Sequence, residues 1–215
     1  MTTTLDTGTK GSRTRARLLT CAVDHFAAVG LDAGSVPEIA RMAGMSHSSV
    51  YQHFGRKETL FRNAVDADLS GLFATPIASL RAENHTAESL VGMIAVVLDG
   101  CSRHPLARRV LANIDGEQAD AMRELPALAL LEAELGAAVS RAQAAHTVRC
   151  DRSAASLAEG LISVALSVVV VALRVDGLPA VPRARSTYEF LVTALLSDAS
   201  ATRSSDSSEQ AKAPR

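Results

Sequence analysis

Apolar residues recur at helical spacing along most of the chain. In a first predicted helix, at about 12–29, five of them lie three or four residues apart on one face: Leu19, Ala22, Val23, Phe26 and Ala27. The same period predicts helices at about 35–44, 46–53, from 57, 87–103, 105–114, 117–145, 152–175 and 183–199. No sustained alternation with a period of two occurs, so strands are not expected. The pattern therefore predicts an all-α protein.

The ends of the first three helices carry capping signals. Gly30 stands where the first helix needs a left-handed residue. Ser35 and Glu38 predict a capping box, in which the serine hydroxyl accepts from the Glu38 backbone and the glutamate carboxylate returns to the serine N–H. Ser46 is a good N-cap for the third helix. These signals divide the first 55 residues into three short elements.

Residues 36–54 have the pattern of a helix-turn-helix. Gly44 joins two short helices and can adopt positive φ, Ala40 is small where the helices touch, and Val50 locks the second helix. A small core is completed by apolar residues of both elements and of the first helix: Ile39, Ala43, Met45 and Phe54, with Leu19, Ala22 and Phe26. The second helix of such a unit enters the major groove of DNA, so the pattern predicts DNA binding.

The outward positions of that second helix are candidates for DNA contacts. Three would face base edges, which glutamine, serine and histidine can hydrogen-bond: His47, Ser48 and Gln52. Others carry donors for phosphates: Ser46, Ser49, Tyr51, His53 and, at the start of the fourth helix, Lys57. The arginines of the first helix could reach the DNA backbone or the minor groove: Arg13, Arg15 and Arg17. The alternatives are that Tyr51 is a core residue, that His47 and His53 bind metal, and that the basic residues form an ordinary solvated face.

Charge is unevenly distributed along the chain. Residues 10–62 hold eight basic and four acidic residues, a net charge of +4, whereas the remainder holds 14 basic and 19 acidic residues. Because the first quarter of the chain is basic and the remainder is acidic, a polyanionic partner is expected to bind the N-terminal region.

The same segment resembles a known family. Residues 15–65 closely resemble the N-terminal domain of the tetracycline-repressor (TetR) family in Arg17-Leu-Leu, Ala22, Phe26, Gly30, Val36, Glu38-Ile-Ala, Ala43-Gly-Met-Ser, Val50-Tyr-Gln-His-Phe, and Lys57-Glu with Leu60. The resemblance implies a homodimer of nine or ten helices with a ligand pocket in the larger domain. It also implies phosphate contacts by Tyr51, His53 and Lys57. Residues 47–49 differ from those common in the family. The resemblance therefore implies DNA binding but does not identify the operator sequence.

The pattern divides the chain into four parts. We expect a disordered arm at 1–11, a helix-turn-helix domain at 12–56, a helical ligand-binding and dimerisation domain at 57–199, and a disordered, serine-rich tail at 200–215. Pro76 is expected to kink or end the fourth helix, and Pro126 to bend the segment at 117–145.

Two apolar stripes in the larger domain predict a dimer interface. Their residues are Leu157, Leu161, Val164, Val168 and Val171 on one helix, and Tyr188, Leu191, Val192 and Leu195 on the next. The alternative is that they form the core within one chain. Candidate walls of a ligand pocket, which could equally be plain core, are Met93, Val97, Cys101, Leu111, Met122, Leu125 and Leu128. With few aromatic residues available, an aliphatic or weakly polar ligand is expected.

Several features bear on location and chemistry. The N-terminal segment has no apolar signal-peptide region, and the apolar stretch Leu161–Leu173 is too short to cross a bilayer. Cys21, Cys101 and Cys150 are scattered, which favours a reducing cytoplasm and buried thiols rather than disulfides or zinc. No catalytic motif is present, so we expect no enzymatic activity, cofactor or metal.

These observations predict a transcriptional regulator. We expect a homodimer that binds an inverted-repeat operator in double-stranded DNA and is released by a small-molecule effector. A regulator without small-molecule gating, and an activator, are the alternatives.

Overall fold

The computed structural model describes residues 10–82, 85–113, 124–174 and 189–195. These residues form eight α-helices: α1 (Lys10–Val29), α2 (Val36–Ala43), α3 (His47–Phe54), α4 (Lys57–Leu80), α5 (Ala87–Gly100), α6 (Pro105–Asn113), α7 (Pro126–Ala144) and α8 (Ala154–Arg174). Residues 189–195 are also helical, and no strand occurs within the described ranges. The prediction of an all-α protein is confirmed.

The two prolines differ in their positions within helices. Pro76 is buried inside α4, which continues to Leu80 and is not ended by the proline. Pro126 does not bend a longer helix but begins α7, after a turn and bend at residues 124 and 125. A proline is well tolerated in the first turn because its missing N–H has no partner within the helix there. The predicted helical residues 117–123 lie outside the described ranges.

The chain divides into two compact units. One contains the described residues up to Leu72 together with Cys101–Val110, and the other contains Phe73–Gly100 and the described residues from Leu111 onward. The first unit therefore extends beyond the predicted boundary at residue 56. It includes the part of α4 up to Leu72, and residues Cys101–Val110, which contain most of α6. Residues 10 and 11 belong to α1 rather than to an arm, and residues 1–9 and 200–215 lie outside the description.

The first unit is built around the middle of α1. Its buried face is centred on Leu18, Ala22 and Phe26, each fully buried, whereas Leu19 is only half-buried. The predicted face is therefore right at Ala22 and Phe26, but Leu18 takes the place expected of Leu19, since both residues are leucine and either spacing fits a helix. Buried apolar residues from the next elements complete this core: Ile39, Ala40, Ala43, Val50, Phe54 and Leu60. Met45 is only half-buried and lies at its edge.

The second unit has its own apolar core. It is formed by residues of α5, α7, α8, the end of α4 and the helical residues 189–195, with α8 packing most extensively on α7. Val139 and Val148 are among its most deeply buried members. Arg81 on α4 forms an ion pair of 2.6 Å with Glu134 on α7 at the surface of this unit.

Candidate nucleic-acid interface and ligand cavity

The start of α2 is held by two hydrogen bonds. The Ser35 hydroxyl accepts from the Glu38 backbone N–H at 3.4 Å, as predicted. The reciprocal half of the capping box is absent, because the Ser35 N–H donates to the His25 Nε2 atom at 3.0 Å and the Glu38 carboxylate pairs with Arg41. His25 therefore connects α1 to the start of α2, a role that a pattern within α2 could not reveal.

The turn between α2 and α3 is fixed by Gly44. Its φ of 65° and ψ of 37° lie in the left-handed region, as predicted. The Gly44 N–H donates to the Arg41 carbonyl at 3.1 Å and the Met45 N–H to the Ala40 carbonyl at 2.9 Å. This pair of bonds is the Schellman motif, which satisfies the last carbonyls of a helix. The Arg17 guanidinium lies beside the glycine, 3.3 Å from the position that a Cβ would take.

Helix α3 has one apolar and one polar side. Val50 and Phe54 are buried on the core side. The opposite side exposes the predicted DNA-contacting residues His47, Ser48, Tyr51, Gln52 and His53, as well as the N-cap Ser46, while Ser49 is half-buried. Tyr51 is 39% exposed, so it is not a core residue. The helix therefore offers a row of hydrogen-bonding side chains to the exterior of the unit.

The first turn of α3 is internally hydrogen-bonded. The Ser46 hydroxyl accepts from the Ser49 backbone N–H at 3.2 Å and shares hydrogen bonds with the Ser48 and Ser49 hydroxyls. One turn further on, the ring of Tyr51 meets that of His47 edge to face, with centroids 4.7 Å apart. These contacts hold the exposed side chains in place before any ligand arrives, which reduces the entropy lost on binding.

Two of the predicted basic contacts are engaged within the unit. The Lys57 ammonium donates to the carbonyls of Asp32 and Gly34 at 3.2 and 3.4 Å. The Arg15 guanidinium donates to the Asn63 side chain at 2.7 Å and lies 5.0 Å from the Phe54 ring centre. Exposed cations nevertheless occur on α1, on α2, between α3 and α4, and on α4: Arg13, Arg17, Arg41, Arg56 and Arg62. Positive charge thus flanks α3, although α3 itself has no lysine or arginine.

A buried carboxylate, missed by the sequence analysis, joins α4 to the start of α6. Asp68 is 8% exposed and accepts from the Ala107 backbone N–H and from His104 Nδ1, both at 2.8 Å. Arg109, one turn along α6, donates to the carbonyls of Ala27 and Ala28 at the end of α1. The separations in sequence are too large for a local pattern to indicate these contacts.

The second unit contains an apolar cavity. Its volume open to the centre of a water molecule is about 60 Å³. It is lined by residues of α4 to α8, all of them apolar: Phe73, Pro76, Leu80, Leu90, Met93, Ile94, Val97, Leu111, Leu128, Leu131, Leu135, Leu161, Ile162, Ala165, Leu166 and Val169. No described charged or hydrogen-bonding side chain lines it.

The cavity includes part of the predicted pocket. Met93, Val97, Leu111 and Leu128 line it, as expected. Leu125 and Cys101 are buried but do not line it, and Cys101 belongs to the first unit. Met122 lies outside the described residues. The wall supplied by α4 and α8 was missed; of its residues on α8, only Leu161 was singled out from the sequence, as part of the dimer interface.

The predicted interface residues divide into two groups. Leu161, Leu191 and Leu195 are buried inside the second unit, and Leu157, Val164 and Val192 pack partly against its core. The alternative of a core within one chain therefore describes the first group better. Val168 is half-buried, Val171 is 58% exposed, and Tyr188 lies outside the described residues.

The three cysteines differ in environment. Only Cys101 is buried, whereas Cys21 is half-buried and Cys150 is exposed, contrary to the prediction of three buried thiols. Burial raises the pKa of the Cys101 thiol, because removal from water disfavours the thiolate. Among the described residues, no group of three or more histidine, cysteine or acidic side chains could hold a metal ion.

Solved structures share this fold. GusR of Salmonella enterica matches with a TM-score of 0.62 at 21% identity, over 89% of this chain and 100% of that chain. FadR of Bacillus subtilis, in complex with stearoyl-CoA, matches with 0.65 at 18% identity, over 83% and 97%. PfmR of Thermus thermophilus, a TetR-family transcriptional regulator, matches with 0.54 at 22% identity, over 82% and 97%. No curated relative matches the sequence.

The short helices α2 and α3 and their glycine turn form a helix-turn-helix, and the described residues of the second unit are mainly helical. The family model of the bacterial regulatory proteins, tetR family, matches residues 18–64, which include the helix-turn-helix. The chain thus has an N-terminal segment like that of the tetR family and the fold of a TetR-family transcriptional regulator.

Proposed function

We propose that the chain represses transcription by binding an inverted-repeat operator as a homodimer, with one α3 in each of two successive major-groove segments. The observation that carries the proposal is the two-sided character of α3. Its apolar side is buried through Val50 and Phe54, while His47, Ser48 and Gln52 are exposed at the positions that can contact base edges.

Phosphate contacts would come from the surroundings of α3. Ser46, Ser49, Tyr51 and His53 supply hydrogen-bond donors, and the exposed arginines of α1, α2 and α4 supply charge. Lys57 would contact a phosphate through a backbone N–H at the start of α4 or after its ammonium leaves the carbonyls that it now binds. Because phosphate neutralisation releases counterions, binding should weaken steeply with salt.

Dimerisation would cover the exposed side of α8. The helix is long and apolar enough to cross a membrane by length and composition alone, contrary to the sequence prediction, and only 17% of its apolar stretch is buried within the chain. Leu161 and Val169 nevertheless pack in the core of the second unit, as in a helix of a globular protein. We propose that a second copy, rather than lipid, covers Val164, Val168 and Val171, and that the protein acts in the cytoplasm.

Small-molecule control would act through the apolar cavity. The complex of FadR with stearoyl-CoA supports ligand binding by a protein of this fold. A ligand favours the conformation that it binds better, so an effector that prefers a spacing of the α3 pair unlike that of the half-sites would release the operator. That the chain is not an enzyme stays a prediction.

Fluorescence anisotropy with a selected operator would test the DNA-binding surface. Tyr51→Ala and Lys57→Ala should weaken binding to all sequences, whereas Gln52→Ala should change the preferred base. Arg152→Ala serves as a charge-matched control, because Arg152 is exposed in the second unit, and it should bind like the wild type. Equal binding by all four variants would contradict the proposal.

A further inference from the structure

We propose that the cavity of the second unit binds a saturated hydrocarbon chain of roughly eight to ten carbons, with any polar group outside the cavity. The identification of this cavity as the effector site rests on the proposed function. The binding of the chain itself requires no DNA.

The chemistry of the lining excludes buried polar ligands. All 16 lining residues that the structure describes are apolar, and none of them offers a charged or hydrogen-bonding side chain. A hydroxyl, amide or carboxylate placed inside would lose its hydrogen bonds to water without replacement, whereas methylene groups gain from leaving water. Sugars, amino acids and nucleotides therefore do not fit as buried ligands.

The dimensions favour a slender aliphatic ligand. The volume open to the centre of a water molecule is only about 60 Å³, and Phe73 is the single aromatic residue among the described residues of the lining. A fused aromatic system would find only this one ring among the described lining residues to stack on. An alkyl chain can instead follow the space between aliphatic side chains and contact them along its whole length.

The length follows from the span of the lining along each helix. Leu128 and Leu135 mark its ends on α7, and Leu161 and Val169 on α8. Seven or eight residues at a rise of about 1.5 Å give a length of about 10–12 Å. Carbon–carbon bonds of about 1.5 Å in an extended zigzag advance about 1.3 Å per carbon, which converts this length into roughly eight to ten carbons.

Titration calorimetry of the full chain with 1-alkanols of four to twelve carbons tests the inference. Affinity should rise roughly fourfold for each added CH₂ and level off between eight and ten carbons. The diol 1,10-decanediol should bind at least about tenfold more weakly than 1-decanol, because its second hydroxyl would be buried without a partner. Absence of alkanol binding, or equal binding of the diol, would overturn the inference.

Adjacent leucines on α7 provide matched variants. Leu131 lines the cavity, whereas Leu130 is 46% exposed and does not. Leu131→Trp should fill the space and weaken 1-decanol at least about tenfold, while Leu130→Trp should leave binding unchanged. Circular dichroism checks that both fold, and Ala165→Leu replaces the first variant if it does not. Equal affinities of the two leucine variants for 1-decanol would show that the alkanol does not bind in the cavity.

Operator binding measured in the same preparations separates this inference from the proposed function. If 1-decanol binds but leaves the protein–DNA complex intact, the hydrocarbon site is supported and effector-controlled release is contradicted. If DNA binding is intact and no alkanol binds, the hydrocarbon site alone is overturned.

Discussion

Gly34, between α1 and α2, shows how closely the first unit is packed. A Cβ on this residue would lie 2.4 Å from Cε1 and 2.8 Å from Cδ1 of Phe26. The Phe26 ring is fully buried and meets Phe61 edge to face with centroids 5.1 Å apart, so it has little room to move. The close approach of the loop to this ring thus requires glycine.

Gly34→Ala should therefore destabilise the protein by about 1–3 kcal/mol through overpacking. Urea denaturation followed by circular dichroism measures this change. Gly11→Ala is the control, because Gly11 is exposed on α1 with no neighbour within 4 Å of its added Cβ. That control should gain about 0.5–1 kcal/mol, and a loss as large as that of Gly34→Ala would argue against overpacking.

Single residues were predictable where the cause is local. The left-handed Gly44 and the N-cap Ser46 follow from spacing along the chain, and the structure has both. The tight fit of Gly34 and the hydrogen bond from Ser35 to His25 depend on side chains that folding brings together. No sequence pattern contains that information.

Among the helices, α6 depends most clearly on a distant residue. Its first turn is capped by the Asp68 carboxylate of α4, which also binds His104. A carboxylate at a helix N-terminus satisfies a free backbone N–H and interacts favourably with the helix dipole. Helix bounds were predictable to within a few residues, but this support, and the start of α7 at Pro126, arise from packing between elements.

Asp68→Ala should lower the free energy of unfolding by about 1–3 kcal/mol, since it leaves buried donors without a partner. Asp68→Asn should cost less, because its amide oxygen can still accept from the Ala107 N–H. Asp24→Ala, at an exposed position of α1, should change stability by no more than about 0.5 kcal/mol. Chemical denaturation of the three variants checks the order, and a harmless Asp68→Ala would refute the capping role.

At the scale of the whole molecule, the exposed apolar side of α8 is the feature that a single chain does not explain. The sequence pattern located the apolar stripe of this helix. It could not tell which residues of the stripe are buried in their own chain and which are exposed. Leu161 contributes to the core of its own chain, whereas Val171 is 58% exposed. The cavity was only half predictable for the same reason, because its walls combine residues from five helices.

Val168→Glu and Val171→Glu should convert the dimer into monomers, since each would place a charge in an apolar interface. Analytical ultracentrifugation at micromolar concentration measures the mass. Leu130→Glu introduces the same charge at an exposed leucine of α7 and should remain dimeric. A wild-type chain that sediments as a monomer would disprove the proposed interface.

The most direct test is to select DNA duplexes from a random pool with the 215-residue chain. This selection shows whether paired α3 helices recognise DNA. We expect an inverted repeat whose half-site centres lie about 34–36 Å apart, or a multiple of this distance, because two recognition helices related by a twofold axis require this spacing. Gln52→Ala should alter the selected bases within each half-site. A pool that stays random after repeated rounds, or one enriched only in unpaired half-sites, would contradict the account.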